Sequence, residues 1–121
     1  MKFNVFGSVP SKKSNQIFVF RLKRLLPNAK YTQYQKDFGK QVTGKIIGSF
    51  AKDDKLRIHC AFFFADRITV RDIVNAEQSV WDCLQDFGVV HNDSQFYECS
   101  ASKAIDKAMP RCEITIERIK Q

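Results

Sequence analysis

The spacing of apolar positions along the chain changes several times, and each change marks an element. Phe3 and Val5 alternate with polar neighbours before Gly7, so Lys2–Val9 reads as a first strand. Ile17–Leu22 is rich in β-branched and aromatic residues and reads as a second. From Tyr31 the period lengthens. Tyr31, Tyr34, Phe38, Val42 and Ile46 recur at helical spacing, which predicts a helix over Tyr31–Phe50, capped by Thr32 or the polar loop before it. Leu56–Ala65 is almost wholly apolar, as a buried central strand should be. Ile73, Ala76, Val80, Leu84 and Phe87 return to helical spacing, and Gly88 stands where a glycine ends a helix. Phe96–Ala101 and Cys112–Ile119 are the last strands. In the second, Cys112, Ile114 and Ile116 alternate with Glu113, Thr115 and Glu117. The order β-β-α-β-α-β-β predicts a single α/β domain of the α+β type over residues 1–121. Its sheet is mixed and its helices pack mainly on one face.

The polar positions of the second helix carry the chemistry. Asp72, Asn75, Gln78 and Asp82 form a stripe well off the apolar face. Asp93 follows once the helix has turned back. The expectation is that two or three carboxylates meet at one end of a buried helix. Oxygen donors of this kind suit Mg²⁺ or Mn²⁺. Arg67 and Arg71 bring positive charge beside them, an alternation in which carboxylates hold metal and arginines hold phosphate. Each residue also has a plainer role: Asp72 as a helix cap, Asp82 as a solvated helix residue, Asp93 as a turn former. Asp53-Asp54 reads as a solvated turn, and His59 as a core or sheet-face residue of its strand.

Charge narrows the class of partner. The chain of 121 residues has a formal net charge of +7, which favours a polyanion, nucleic acid first. The positive residues cluster in Lys12-Lys13, in Arg21, Lys23, Arg24 and Lys30, and in Lys103, Lys107 and Arg111. A helix face with Lys36, Lys40 and Lys45 adds to them. The polar turn Pro10–Asn15 suits phosphate contact through lysines and backbone N–H groups. No apolar run approaches the roughly 20 residues of a membrane helix, and no long apolar segment follows Lys2 as in a secretory leader. Cys60, Cys83, Cys99 and Cys112 include no C-x-x-C pair, so they read as reduced thiols of a cytosolic protein.

Arg71–Gln95 resembles the RusA family of Holliday-junction resolvases. That family's pattern is an Asp, an Asn opening a helix, a D-x-L within it, then G-V and a D-D pair. It reads here as Asp72, Asn75, Asp82-Cys83-Leu84, Gly88-Val89 and Asn92-Asp93. The resemblance extends upstream to Gly7–Asn15 and downstream to Pro110–Ile116, in the same order and over almost the whole chain. It implies a homodimer that cuts four-way DNA junctions with Mg²⁺ or Mn²⁺ in a bacterial cytoplasm, from a phage or prophage source. Asp72 and Asp93 would be metal ligands and Asp82 a third or outer carboxylate. Asn75 would orient a ligand or cap the helix. Three positions depart from the pattern: Val74 and Asn92 stand where resolvases carry Asp, and Gln78 where they carry Lys. Two further readings follow from these departures: a junction-binding protein with weakened or lost cleavage, and a partner-binding regulator that reuses the fold.

Overall fold

The computed structural model describes residues 1–10, 16–19, 24–27, 29–42, 44, 46–66 and 73–120. Nine-residue β4, Leu56–Phe64, lies in the middle of a four-stranded sheet. On one side it pairs antiparallel with β6, Arg111–Arg118, which in turn pairs antiparallel with β1, Lys2–Phe6. On the other side it pairs parallel with β5, Phe96–Ile105. The sheet is therefore mixed, as expected. A parallel pair needs a crossover connection. Helix α2, Ile73–Asp86, supplies it.

Leu56, Ile58, Cys60, Phe62 and Phe64 are buried in strict alternation, and Cys112, Ile114 and Ile116 continue the same layer on β6. Against that layer pack Tyr34 and Phe38 of helix α1, Ala29–Gln41, and Ala76, Val80, Cys83 and Leu84 of α2. The other face of the sheet carries Arg57 against Glu98 and Glu117, and His59 against Ser100. His59 is thus a sheet-face residue. The four cysteines are free: Cys60, Cys83 and Cys112 are buried and Cys99 is exposed. No described helix is long and apolar enough to cross a membrane.

Several elements differ from their sequence outlines. The first helix stops at Gln41 rather than running to Phe50. Val42 and Ile46 still face the core, but β-branched residues and two glycines follow Gln41, and Gly48 has φ of +77°. That left-handed conformation, open to glycine, bars a helix from continuing through Gly48 to Phe50. β2, Gln16–Val19, overlaps the expected second strand, but it pairs in a separate two-stranded sheet with β3, Arg24–Pro27, where the sequence reads only as a basic segment. β5 runs four residues beyond Ala101, so Lys103 lies in the strand and not in the loop after it.

Candidate active site

Gly88 begins the geometry around Asp93. It has φ of +74° and closes α2 in a Schellman arrangement: its N–H reaches the Gln85 carbonyl at 3.2 Å, and the Val89 N–H reaches that of Leu84 at 2.9 Å. Val89 and Val90 are then buried and fix the return of the chain. Asn92 caps a single 3₁₀ turn, Asp93–Gln95, its Oδ1 accepting the Ser94 N–H at 2.9 Å. Gln95 completes a capping box. Its Oε1 accepts the N–H groups of His91 (2.9 Å) and Asn92 (3.2 Å), while its Nε2 donates to the Ala51 and Asp54 carbonyls at 2.9 and 3.0 Å. The Asp93 backbone N–H donates to Oε1 of Gln85 at 3.0 Å. The carboxylate of Asp93 is thus carried on a turn whose backbone is tied to α2 and to the loop before β4.

Asp82 lies farther back along α2. It accepts from Gln78 Nε2 at 3.1 Å. Tyr31 of α1 is close by: burial raises its phenol pKa, and charge on Cys83, Asp82 and Asp86 adds to the effect. Asn75 is the third residue of α2 and sits inside the first turn, so the orienting role suits it better than the cap. Gln78, at a departure from the family pattern, is engaged with Asp82. Among the described residues no three His, Cys, Asp or Glu side chains gather closely enough to hold a metal. A metal set built on Asp93 needs further donors, of which Asp72 is one candidate.

Asp72, Arg67, Arg71, Lys12, Lys13, Arg21 and Lys23 lie outside the described residues. Arg24 belongs to β3, and Lys30 to the first turn of α1. Lys103 and Lys107 are exposed, on β5 and in the connection after it. Arg111 is not available in the same way. Its guanidinium donates to Asp106 at 2.8 Å, Glu113 at 2.9 Å and the Met109 carbonyl at 2.9 Å, and lies 3.9 Å over the Phe63 ring. It secures the β5–β6 connection. Asp54 likewise accepts from Arg118 and from the Ala51 N–H, so within the expected turn its carboxylate holds structure rather than standing free in solvent.

The ends of α2 matter for the acidic pair. Ile73, the residue after Asp72, opens the helix, and Gln85, which holds Asp93, is twelve residues on. At 1.5 Å per residue that is about 18 Å of helix. The described geometry therefore sets the neighbours of Asp72 and Asp93 near opposite ends of α2. A buried polar side chain midway along α2 has no mark in the sequence. Ser79, fully buried on α2, donates to the Pro10 carbonyl at 2.8 Å. It ties the helix to the residue from which the basic Ser11–Asn15 segment departs. Nothing in the apolar pattern marks it, because serine fits the apolar stripe by size.

The family model for the endodeoxyribonuclease RusA matches residues 8–117. The chain belongs to the RusA endodeoxyribonuclease family. Among the described residues the match takes in α1 and α2, and β2 to β5 entirely, along with all of the acidic positions discussed above. RusA endonucleases act on branched DNA and generally use divalent metals. No curated protein matches the chain in a direct sequence comparison.

Proposed function

We propose that this RusA member is a junction-resolving endonuclease that hydrolyses phosphodiester bonds at four-way DNA junctions. Asp72 and Asp93 would hold Mg²⁺ or Mn²⁺, with Asp82 as an outer carboxylate and Asn75 orienting a ligand. A divalent cation bound there would place positive charge against the scissile phosphate and make an attacking water more acidic. The lysines and arginines named above would hold the phosphates on either side, which orients the DNA without reading its sequence.

The observation that carries this reading is the built turn around Asp93. A solvent-facing aspartate needs no capping box, no buried glutamine with four partners and no bond to the neighbouring helix. Here all three fix one short backbone segment. The separation along α2 supports a site shared by two copies. A two-fold axis perpendicular to α2 would lay one helix antiparallel to its partner and so bring the Asp93 end of one copy toward the other copy's first turn, which Asp72 precedes in the sequence. A homodimer also matches the two-fold symmetry of a four-way junction, where two cuts need two sites.

Mixing two inactive variants tests the shared site. Asp72→Asn and Asp93→Asn homodimers each lack one ligand at both sites. In a heterodimer with shared sites, one site has both substitutions and the other has neither. The mixture should recover nicking of one strand of the junction, while neither variant alone cuts. No recovery after subunit exchange places both ligands in one chain.

Val74 and Asn92 favour the second reading, a junction binder with weakened cleavage, since fewer anionic donors weaken divalent-ion binding. The two readings separate on metal-dependent cleavage, because both predict junction binding.

A further inference from the structure

The chain from the end of β1 to Pro10 is held from three sides. At Phe6 the side-chain amide of Gln41, the last residue of α1, takes both backbone groups: Oε1 accepts the Phe6 N–H at 2.7 Å, and Nε2 donates to the Phe6 carbonyl at 3.0 Å. Gly7, with φ of +114°, turns the chain, and its N–H donates to the Pro110 carbonyl at 2.9 Å, just before β6. Val9 is buried in the core. At Pro10 the Ser79 hydroxyl of α2 donates to the carbonyl at 2.8 Å.

Ser79 is the informative member of this set. Inside a helix a serine hydroxyl commonly bonds the carbonyl four residues back. Here the Asn75 carbonyl is at 3.3 Å, and Pro10 is the nearer acceptor. Proline has no N–H, so the carbonyl is the only backbone hydrogen-bonding group at that position. Alanine would fill the same apolar stripe and is the better helix former. Burying a serine fully costs desolvation of its hydroxyl, and what the hydroxyl gains in return is the tie to Pro10. Both ties join parts far apart in the chain: 35 residues separate Gln41 from Phe6, and 69 separate Ser79 from Pro10.

We infer that Ser79 and Gln41 are positioning residues for DNA: by holding residues 6–10 they set where the phosphate grip of Lys12 and Lys13, next in the sequence, begins relative to α2. The inference rests on the junction-binding part of the proposed function and adds to it two uncharged side chains that act through the lysines. Lys12 and Lys13 lie outside the described residues, but the chain that leads into them does not. A backbone already held loses less freedom when a phosphate is bound, so more of the contact appears as affinity. α2 is also the helix that Asp72 precedes and on which Asn75 and Asp82 lie. A tie from α2 to Pro10 therefore links the residues proposed to hold phosphate with those proposed to hold metal.

A double-mutant cycle on the affinity for a synthetic four-way junction, measured without metal, tests the link. Ser79→Ala should weaken binding by about three- to tenfold. Gln41→Ala, at a partly exposed site that leaves the core intact, should act in the same direction. In a chain that already carries Lys12→Ala and Lys13→Ala, neither substitution should weaken binding further, because the groups they position are gone. The slope of log affinity against log salt should fall in both single variants toward that of the lysine variant, since fewer phosphates are contacted. Ser79→Thr, which keeps the hydroxyl, should restore affinity and slope. A merely structural role lowers affinity equally with and without the lysines and leaves the slope unchanged. That result, or wild-type affinity in both Ser79→Ala and Gln41→Ala, overturns the inference while junction binding stands. A wild type that binds no branched DNA overturns it together with the proposed function. Because no metal is present, a coupled cycle in a protein that never cuts keeps this link and removes only the nuclease reading.

Discussion

Asn92 is the residue at which structure changes the meaning of a departure from the family pattern. Read as a lost ligand, it weakens the case for metal binding. In the fold it is an N-cap whose Oδ1 accepts the Ser94 N–H. Aspartate caps as well as asparagine does. Asn92→Asp should therefore leave thermal stability within about 0.5 kcal/mol while adding a carboxylate next to Asp93. Val74→Asp sits on an exposed first-turn position of α2, where a negative charge is favoured by about 0.3–1 kcal/mol. The double variant should gain stability on addition of Mn²⁺ that wild type gains less of, measured as a shift in melting temperature. An equal shift in both proteins argues against these positions as ligands. Gln95 is the opposite case, a residue of no apparent interest in the chain that carries four hydrogen bonds. Gln95→Ala should cost on the order of 2–4 kcal/mol in denaturant unfolding, since it leaves buried partners unmet. The N-x-x-Q spacing of Asn92 and Gln95 is a legible capping-box signal. What the chain cannot show is that the amide also reaches Ala51 and Asp54, some forty residues away.

Among the elements, β4 and α2 were legible nearly to the residue because long apolar runs and clean helical spacing leave no competing state. α1 was overextended because Val42 and Ile46 do face the core, and burial is all that a hydrophobic period reports. Of the β2–β3 pair only β2 shows in the sequence, because in β3 Arg24 and Pro27 bracket just two apolar residues. On α2, Glu77 is half-buried, and burial raises its carboxyl pKa while nearby His59 opposes the shift. An acid with a raised folded pKa is destabilising once ionised, and the penalty disappears as pH falls through that pKa. Glu77→Gln should thus raise the melting temperature at pH 7, and the gain should shrink as pH is lowered through the carboxylate range. A gain independent of pH would mean that charge burial at Glu77 is not its cause. Asp54 and Asp106 act in the other direction. Hydrogen bonds from Arg118 and Arg111 hold their carboxyls below the ordinary range, so they stabilise the fold above it and lose that contribution in acid.

At the scale of the whole molecule, the net charge of +7 and membership of an endodeoxyribonuclease family point to the same polyanion. Phosphate contacts release counterions, so the logarithm of junction affinity should fall linearly with the logarithm of salt concentration. A flat response in a filter or anisotropy titration contradicts an electrostatic grip. The family and the mixed-sheet class are legible in the sequence because the ordered resemblance spans most of the chain, whereas the strand order β1-β6-β4-β5 is not. The place of the Asp93 turn, tied to the end of α2 away from Ile73, is not legible there either, since it depends on how the chain returns after Gly88. The central claim is that a metal held by these two carboxylates cuts branched DNA. It is tested most directly by cleavage of a synthetic four-way junction in Mg²⁺ or Mn²⁺, with wild type beside Asp72→Asn and Asp93→Asn and junction binding measured without metal. Wild type should cut the junction and not the matching duplex. Each variant should lose cleavage and bind as well or better, because neutralising an anion near phosphate removes repulsion. Wild-type cutting that survives Asp72→Asn, or junction binding with no cutting under either metal, would contradict the account.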